Sequence, residues 1–309
     1  MNICLFEEAE LGKPLAKHDE RAQHIVKVLH KRVGDHFDAG VIGGKAGVAT
    51  ITHIGAKGDA DEGALSFTFA PSSDGKPLYP LALIVGFPRP IQLRRLLRDV
   101  AGLGVCAIHL TGTELGEKSY MESTLVEKGA AYNMLLDGTA QAASTHVPAL
   151  YMHKTLTECL DAVTGGEAVA DSSAAATVGD NRRTPRLIAL DNVRAQCSLH
   201  RYLYEKATFA GTGACGNAGD DLHTGANGEN VSASGSNATA AADSAAGNGD
   251  VVPQVIAAIG SERGWTDRER ALLEQRGFVR CSMGCRVLRT ESAATVASAL
   301  ILDALGKLD

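Results

Sequence analysis

A chain of 309 residues has room for two domains, each with its own core. Its 45% hydrophobic and 21% charged residues are those of a folded globular protein, and no apolar run is long enough to span a bilayer. The net charge of −6 argues at first against a nucleic-acid partner, but the acids are unevenly placed. Residues 207–252 carry Asp220, Asp221, Glu229, Asp243 and Asp250 with no Lys or Arg, and residues 161–181 carry Asp161, Glu167, Asp171 and Asp180, again with none. Setting aside those five and four acids turns −6 into +3, a mildly basic body that can meet RNA. The opening Met1-Asn2-Ile3-Cys4-Leu5-Phe6-Glu7-Glu8 turns acidic at once and lacks a basic n-region, which predicts a cytoplasmic protein. The seven cysteines are odd in number and scattered, as fits reduced thiols. Cys281 and Cys285 stand four apart without a second ligand pair, so no metal site is expected from them.

Short apolar stretches divided by glycine fill the first seventy residues. Arg21 to His30 reads as a helix with Ile25, Val28 and Leu29 on one face. Residues 33–40, 41–42, 47–54 and 65–69 read as strands and turns, for which a compact barrel is the natural solution. Pro71-Ser72-Ser73-Asp74-Gly75-Lys76-Pro77 reads as a linker. The expected domains are therefore 1–72 and 78–309.

Beyond the linker, strands and helices alternate. Residues 81–87 form a continuous apolar run, as for a strand covered on both faces. Pro90 suits the first turn of a helix whose buried stripe is Leu93, Leu96, Leu97 and Val100. A strand is expected at 105–110, a helix from Ser123 to Leu136 stopped near Gly138, and strands at 187–190 and 255–259. Thr266-Asp267-Arg268-Glu269 is a capping-box sequence opening a helix that ends at Gly277. A short strand at 279–283 and a helix from Glu291 to Leu305, with Val296, Leu300, Ile301 and Leu305, complete the pattern. Such alternation predicts an α/β domain with a parallel sheet. Residues 164–179 and 211–250 lack large apolar side chains and read as disordered inserts. The second holds Gly211-Thr212-Gly213-Ala214-Cys215-Gly216, a literal G-x-G-x-x-G with neither strand before it nor helix after it, and so no dinucleotide site.

Chemistry is expected at two glycine-bearing turns near the end of the chain. Gly260-Ser261-Glu262-Arg263-Gly264-Trp265 follows one strand, and Met283-Gly284-Cys285-Arg286-Val287-Leu288-Arg289-Thr290-Glu291-Ser292-Ala293 leads into the last helix. Two such turns at strand ends can wrap a nucleotide-like ligand with backbone groups, and glycine serves where backbone must approach closely. Trp265, the one tryptophan, reads as a hydrophobic plug behind the first turn.

The pair of turns resembles the C-terminal signature of the RsmE family of RNA methyltransferases, G-P-E-G-G-[FL]-[ST] followed by L-G-x-R-[IV]-L-R-x-E-T-A. Further matches run in order along the chain: His24-Ile25-Val26-Lys27-Val28-Leu29-His30, Gly34-Asp35, Glu117-Lys118-Ser119, and Gln141 with Val147-Pro148. Ser261 and Arg263 stand where the family has proline and a second glycine, and His30 and Ser144 where it has arginine. The resemblance implies a small N-terminal PUA-like RNA-binding β-barrel and a C-terminal SPOUT methyltransferase domain, a trefoil-knotted parallel sheet that works as a homodimer. It implies S-adenosylmethionine-dependent methylation of N3 of a uridine in small-subunit (16S) ribosomal RNA. The cofactor would lie against Leu190, Ile259, Gly260, Gly264, Met283, Gly284 and Leu288. Arg286, Arg289 and Glu291 would serve catalysis, and His24, Lys27 and Lys118 would meet RNA. The alternatives are an RNA-binding protein of this fold without catalysis, or a methyltransferase for a different RNA.

Overall fold

The computed structural model describes residues 2–123, 129–165, 185–205 and 251–308. Both predicted inserts fall largely outside these residues, as does the G-x-G-x-x-G match.

The N-terminal part is a four-stranded mixed sheet in the order β1-β2-β3-β4, made of β1 (Cys4–Phe6), β2 (His36–Val41), β3 (Ala46–Ile54) and β4 (Leu65–Ser73). Phe6, Ile25, Phe37, Ile51, Leu65 and Phe67 fill its core. Strand β4 runs through Pro71 to Ser73, into the expected linker. Proline is tolerated there because β4 is an edge strand with one unpaired side. The predicted helix at 21–30 differs from expectation. Helix α1 (Glu20–Gln23) passes into a π-helical turn, His24–Val28, in which Leu29 N–H donates to the His24 carbonyl five residues back at 2.9 Å. The wider turn shifts the period, so Ile25 stays buried while Val28 and Leu29 are exposed.

The second part is a seven-stranded, all-parallel sheet in the order β7-β6-β5-β10-β8-β11-β9. Its strands are β5 (Tyr79–Gly86), β6 (Val105–Thr111), β7 (Ala149–His153), β8 (Arg186–Leu190), β9 (Cys197–Ser198), β10 (Val255–Ile259) and β11 (Val279–Ser282). The chain thus returns late to the middle of the sheet, where β10 pairs with β5 on one side and β8 on the other. The central strands are buried along their length, as the apolar runs predict.

Helix α2 (Pro90–Gly102) begins at Pro90 and buries Leu93, Leu96, Leu97 and Val100, as expected. Each such side chain contributes about 1.5–3 kcal/mol by leaving water. A short helix, α3 (Lys118–Met121), precedes α4 (Ala130–Gln141). The expected start of α4 at Ser123 meets residues outside the described set, and Gly138 does not stop the helix. Gly138 lies inside α4, where a β-carbon would collide with the Arg98 backbone of α2, so glycine here permits close helix packing. Among the elements the sequence did not signal are β7, half exposed at the sheet edge, and α5 (Leu156–Thr164), capped by Thr155. Next come α6 (Leu199–Tyr204), α7 (Asp267–Gln275) with the predicted capping box, and α8 (Thr290–Ala304). In α8, Ile301 and Leu302 are buried, whereas Val296 and Leu300 are exposed.

Helices α2, α4, α6 and α8 cover one face of the large sheet, and α5 and α7 the other. The last turn of α4 and the loop after it join the two parts. Asn2 and Ile3 N–H donate to the Ala140 carbonyl, Gly43 N–H donates to the Thr145 carbonyl, and Thr145 Oγ1 donates to the Gly44 carbonyl at 2.7 Å. Ser144 is buried in this joint, its hydroxyl donating to the Lys76 carbonyl at 3.1 Å.

Candidate active site

Three neighbouring strands, β10, β8 and β11, end on the same side of the sheet, and the loops that leave them enclose a cavity of about 300 Å³. Crevices at the carboxyl ends of parallel strands are the usual ligand sites of such sheets. Of the residues expected to hold a cofactor, Leu190, Ile259, Gly260, Gly264, Met283, Gly284 and Leu288 all line this cavity. They come from positions as far apart as β8 and the start of α8, and only the sheet order brings them together.

The first loop is held from within. Gly264 N–H donates to the Ser261 carbonyl at 2.8 Å, closing a tight turn in which Gly264 has φ +75°. A β-carbon on Gly260 would lie 3.0 Å from the Gly264 carbonyl carbon, so any larger residue there presses on the loop's own packing. Ser261 is buried, and the turn closes without the family's proline. Arg263 projects outward at the cavity wall and is exposed. Trp265 is 3% exposed and donates its indole N–H to the Leu190 carbonyl at 3.0 Å, which fastens this loop to the end of β8. The plug reading of Trp265 fits this placement.

The second loop is different. Gly284 to Arg289 are all exposed, with Gly284 at φ +100°. Gly264 and Gly284 have open space where a β-carbon would go, so glycine answers there to backbone conformation rather than to crowding.

Of the three expected catalytic residues, Arg286 lines the cavity, whereas Arg289 and Glu291 do not. Arg289 is the exposed N-cap residue of α8. Glu291, in its first turn, is 7% exposed, and its Oε2 has no hydrogen-bond partner. No ion pair joins Arg289 to Glu291 among the described residues. His24 and Lys27 lie in the π-helical turn beside the small sheet, His24 with a buried, unpartnered Nε2 and Lys27 exposed. Lys118 is exposed at the start of α3 and, with Lys154 and Arg268, lines a second cavity of about 620 Å³ where β6 and β7 end.

Sequence reasoning missed one feature of the cavity wall. Asp191, directly after β8, pairs with Arg270 of α7 at 2.6 Å, and their side chains are 2% and 12% exposed. Burial alone would raise the Asp191 carboxyl. The Arg270 guanidinium and the backbone N–H groups of Val193 and Arg194 overcome that and hold it below the ordinary carboxylate value. The partners stand 79 residues apart, and no local pattern signals such a pair.

A cavity at parallel strand ends, walled by glycine turns and rimmed by arginine, defines the class. The chain matches the RNA methyltransferase domain family over residues 75–197 and 231–302. More particularly, it is 36% identical over 306 residues to ribosomal RNA small subunit methyltransferase E of Treponema pallidum, covering 98% of this chain and 91% of that protein, and it belongs to that family. Solved structures share the fold. One is a ribosomal RNA small subunit methyltransferase E from Neisseria gonorrhoeae bound to S-adenosyl methionine, at TM-score 0.60 and 17% identity, covering 98% of this chain and 97% of that one. Another is a probable rRNA-methyltransferase from Porphyromonas gingivalis, at TM-score 0.62 and 17% identity, covering 99% of each chain.

Proposed function

We propose that this chain methylates N3 of a uridine in small-subunit (16S) ribosomal RNA, with S-adenosylmethionine as methyl donor. The observation that carries the reading is the convergence of seven expected cofactor contacts on one cavity in a chain of this family. The residues fit the cofactor: Leu190, Ile259, Met283 and Leu288 offer apolar walls to an adenine ring, and the glycine turns offer backbone groups to its polar edges. When bound, S-adenosylmethionine supplies an electrophilic methyl group on a sulfonium.

The protein's task is then to position the acceptor and to favour its ionised form. Methyl transfer requires an in-line approach, so holding the nucleophile in place lowers the barrier. Uridine N3 must also lose its proton. Arg286 at the cavity stabilises the resulting anion, and Arg289 at the head of α8 adds to the same positive field. Glu291, buried in the first turn of α8, orients an arginine or receives the proton.

Residues 1–72 serve as the RNA-binding unit and 78–309 as the catalytic domain. His24, Lys27 and Lys118 meet RNA phosphates, which makes binding weaken with salt. The chain acts as a homodimer. Val287, Val296 and Leu300, exposed on the second loop and α8, are the kind of apolar surface that a second copy covers. No described helix is long and apolar enough to cross a membrane, and the protein meets its ribosomal substrate in the cytoplasm.

Mass mapping of small-subunit RNA from a strain lacking the gene tests the reading. One uridine loses a methyl group in that strain and regains it with the wild-type chain, but not with Arg286→Ala. A uridine that stays methylated without the gene overturns the substrate assignment.

A further inference from the structure

Outside the candidate active site, three groups of metal-ligand type converge on the free edge of the large sheet. His109 lies on β6, His153 ends the outermost strand β7, and Cys159 sits in α5. Their ligand atoms all lie within 4.8 Å of one another. Cys159 is fully buried, His153 is 9% exposed, and none of the three lines the cofactor cavity. His109 Nδ1 and His153 Nε2 share a hydrogen bond at 3.0 Å, and the Tyr151 ring stacks on His109 at 4.7 Å, fixing its plane.

We propose that His109, His153 and Cys159 bind one thiophilic metal ion of the zinc class, which clasps the β6–β7 edge of the sheet to α5. Two imidazole nitrogens and a thiolate form a borderline-soft donor set of the kind zinc selects, with a solvent molecule completing four-coordination. Tetrahedral bonds of about 2.0–2.1 Å place two ligand nitrogens about 3.3 Å apart. From 3.0 Å, the histidines need to part by a few tenths of an ångström, and the Cys159 thiol, within 4.8 Å of both, needs to close by up to about an ångström to reach a Zn–S bond of about 2.3 Å. On binding, the proton shared between the rings moves to the outer nitrogen of its own ring, and the Cys159 thiol releases its proton to solvent. Glu158 acts electrostatically on both His153 and Cys159. Its carboxylate and the new thiolate together balance a divalent charge.

The pattern is invisible to a motif search. His109 and His153 are 44 residues apart, and no Cys-x-x-Cys accompanies them. The only cysteine spacing that attracts notice, Cys281 and Cys285, lies elsewhere, with Cys285 exposed.

The test titrates the intact, chelator-treated protein with Co²⁺ under anaerobic conditions, then with Zn²⁺. One equivalent of Co²⁺ produces a thiolate-to-cobalt charge-transfer band with the intense visible bands of four-coordination, and Zn²⁺ abolishes them. Cys159→Ala removes the charge-transfer band, His153→Gln weakens binding by more than the roughly 10–100-fold that loss of an outer-shell partner costs, and Cys285→Ala changes nothing. Should the alanine variant not fold by circular dichroism, Cys159→Ser, which keeps the side chain's size, carries the same expectation. Absence of the band in the wild type, its survival in a folded Cys159 variant, or its loss in Cys285→Ala overturns the proposal. A hydrogen-bonded imidazole pair beside an inert thiol then remains.

Discussion

The two loops around the candidate cavity are built in opposite ways. The first, 260–265, is packed and hydrogen-bonded: Ser261 is buried, Gly264 closes onto it, and Trp265 is bound to the end of β8. The second, 283–289, is exposed from Gly284 onward, and Val287 is 82% exposed. A pinned wall paired with an open one divides the work. The first loop shapes the site before any ligand arrives, and the second presents side chains, Arg286 among them, to whatever enters. Substitutions in the first loop should therefore register as stability and those in the second as affinity or rate.

The largest expected effect is on the pinned side. Trp265→Ala removes a buried ring and its bond to Leu190, and should lower unfolding free energy by about 3–5 kcal/mol in denaturant titrations. An unchanged midpoint would mean that the first loop is not held by its plug.

Next is the wall behind it. Asp191→Ala strands Arg270 and should cost about 3 kcal/mol. The sign of the pH dependence follows from the lowered carboxyl of Asp191. Its stabilisation is complete above the ordinary unfolded value of about 3.9 and is lost as pH falls through the lower folded value. Wild type and Asp191→Asn should thus differ most in unfolding free energy at neutral pH and converge in strong acid. A gap that stays constant into strong acid would deny the pair this role.

The glycines sharpen the contrast most. Gly264→Ala and Gly284→Ala each force a side chain into positive φ, at about 1–2 kcal/mol. In the packed first loop that strain should appear as a lower melting temperature; the exposed second loop can relax by changing its backbone, so there the cost should fall mainly on cofactor binding, with a small change in melting temperature. Identical profiles for the two variants would erase the distinction between the loops. The smallest effect is expected at Val287→Ala, within about 0.5 kcal/mol in unfolding of the isolated chain. A shift in sedimentation toward monomer for this variant would place Val287 in the dimer contact proposed above.

How much of this was legible in the sequence varied with range. The stripe of α2, its opening proline and the capping box of α7 came through unchanged, because each is a local pattern governed by helix geometry. The π-helical turn at His24–Val28 escaped, since a 3.6-residue period cannot register one inserted residue, and Val28 and Leu29 changed faces as a result. Gly138 read as a stop but serves a helix crossing, a fact held by the Arg98 backbone of another helix. Strand β7 escaped because an edge strand half open to water carries no continuous apolar run. Within the site, the glycine turns were legible because backbone conformation restricts residue type. The Asp191–Arg270 pair was not, because it joins the end of one strand to a helix 79 residues on, and the separation of Arg286 from Arg289 and Glu291 was not, because it turns on which residues of one loop and helix start face the cavity.

The central claim is that these two loops form an S-adenosylmethionine site, and titration calorimetry of the intact chain, beside Gly284→Val, tests it most directly. The wild type should bind one cofactor per chain. The variant should bind about tenfold more weakly or worse, a loss of about 1.4 kcal/mol or more, at a melting temperature close to that of the wild type. No binding by the wild type at millimolar cofactor, or equal binding by the variant, would contradict the account.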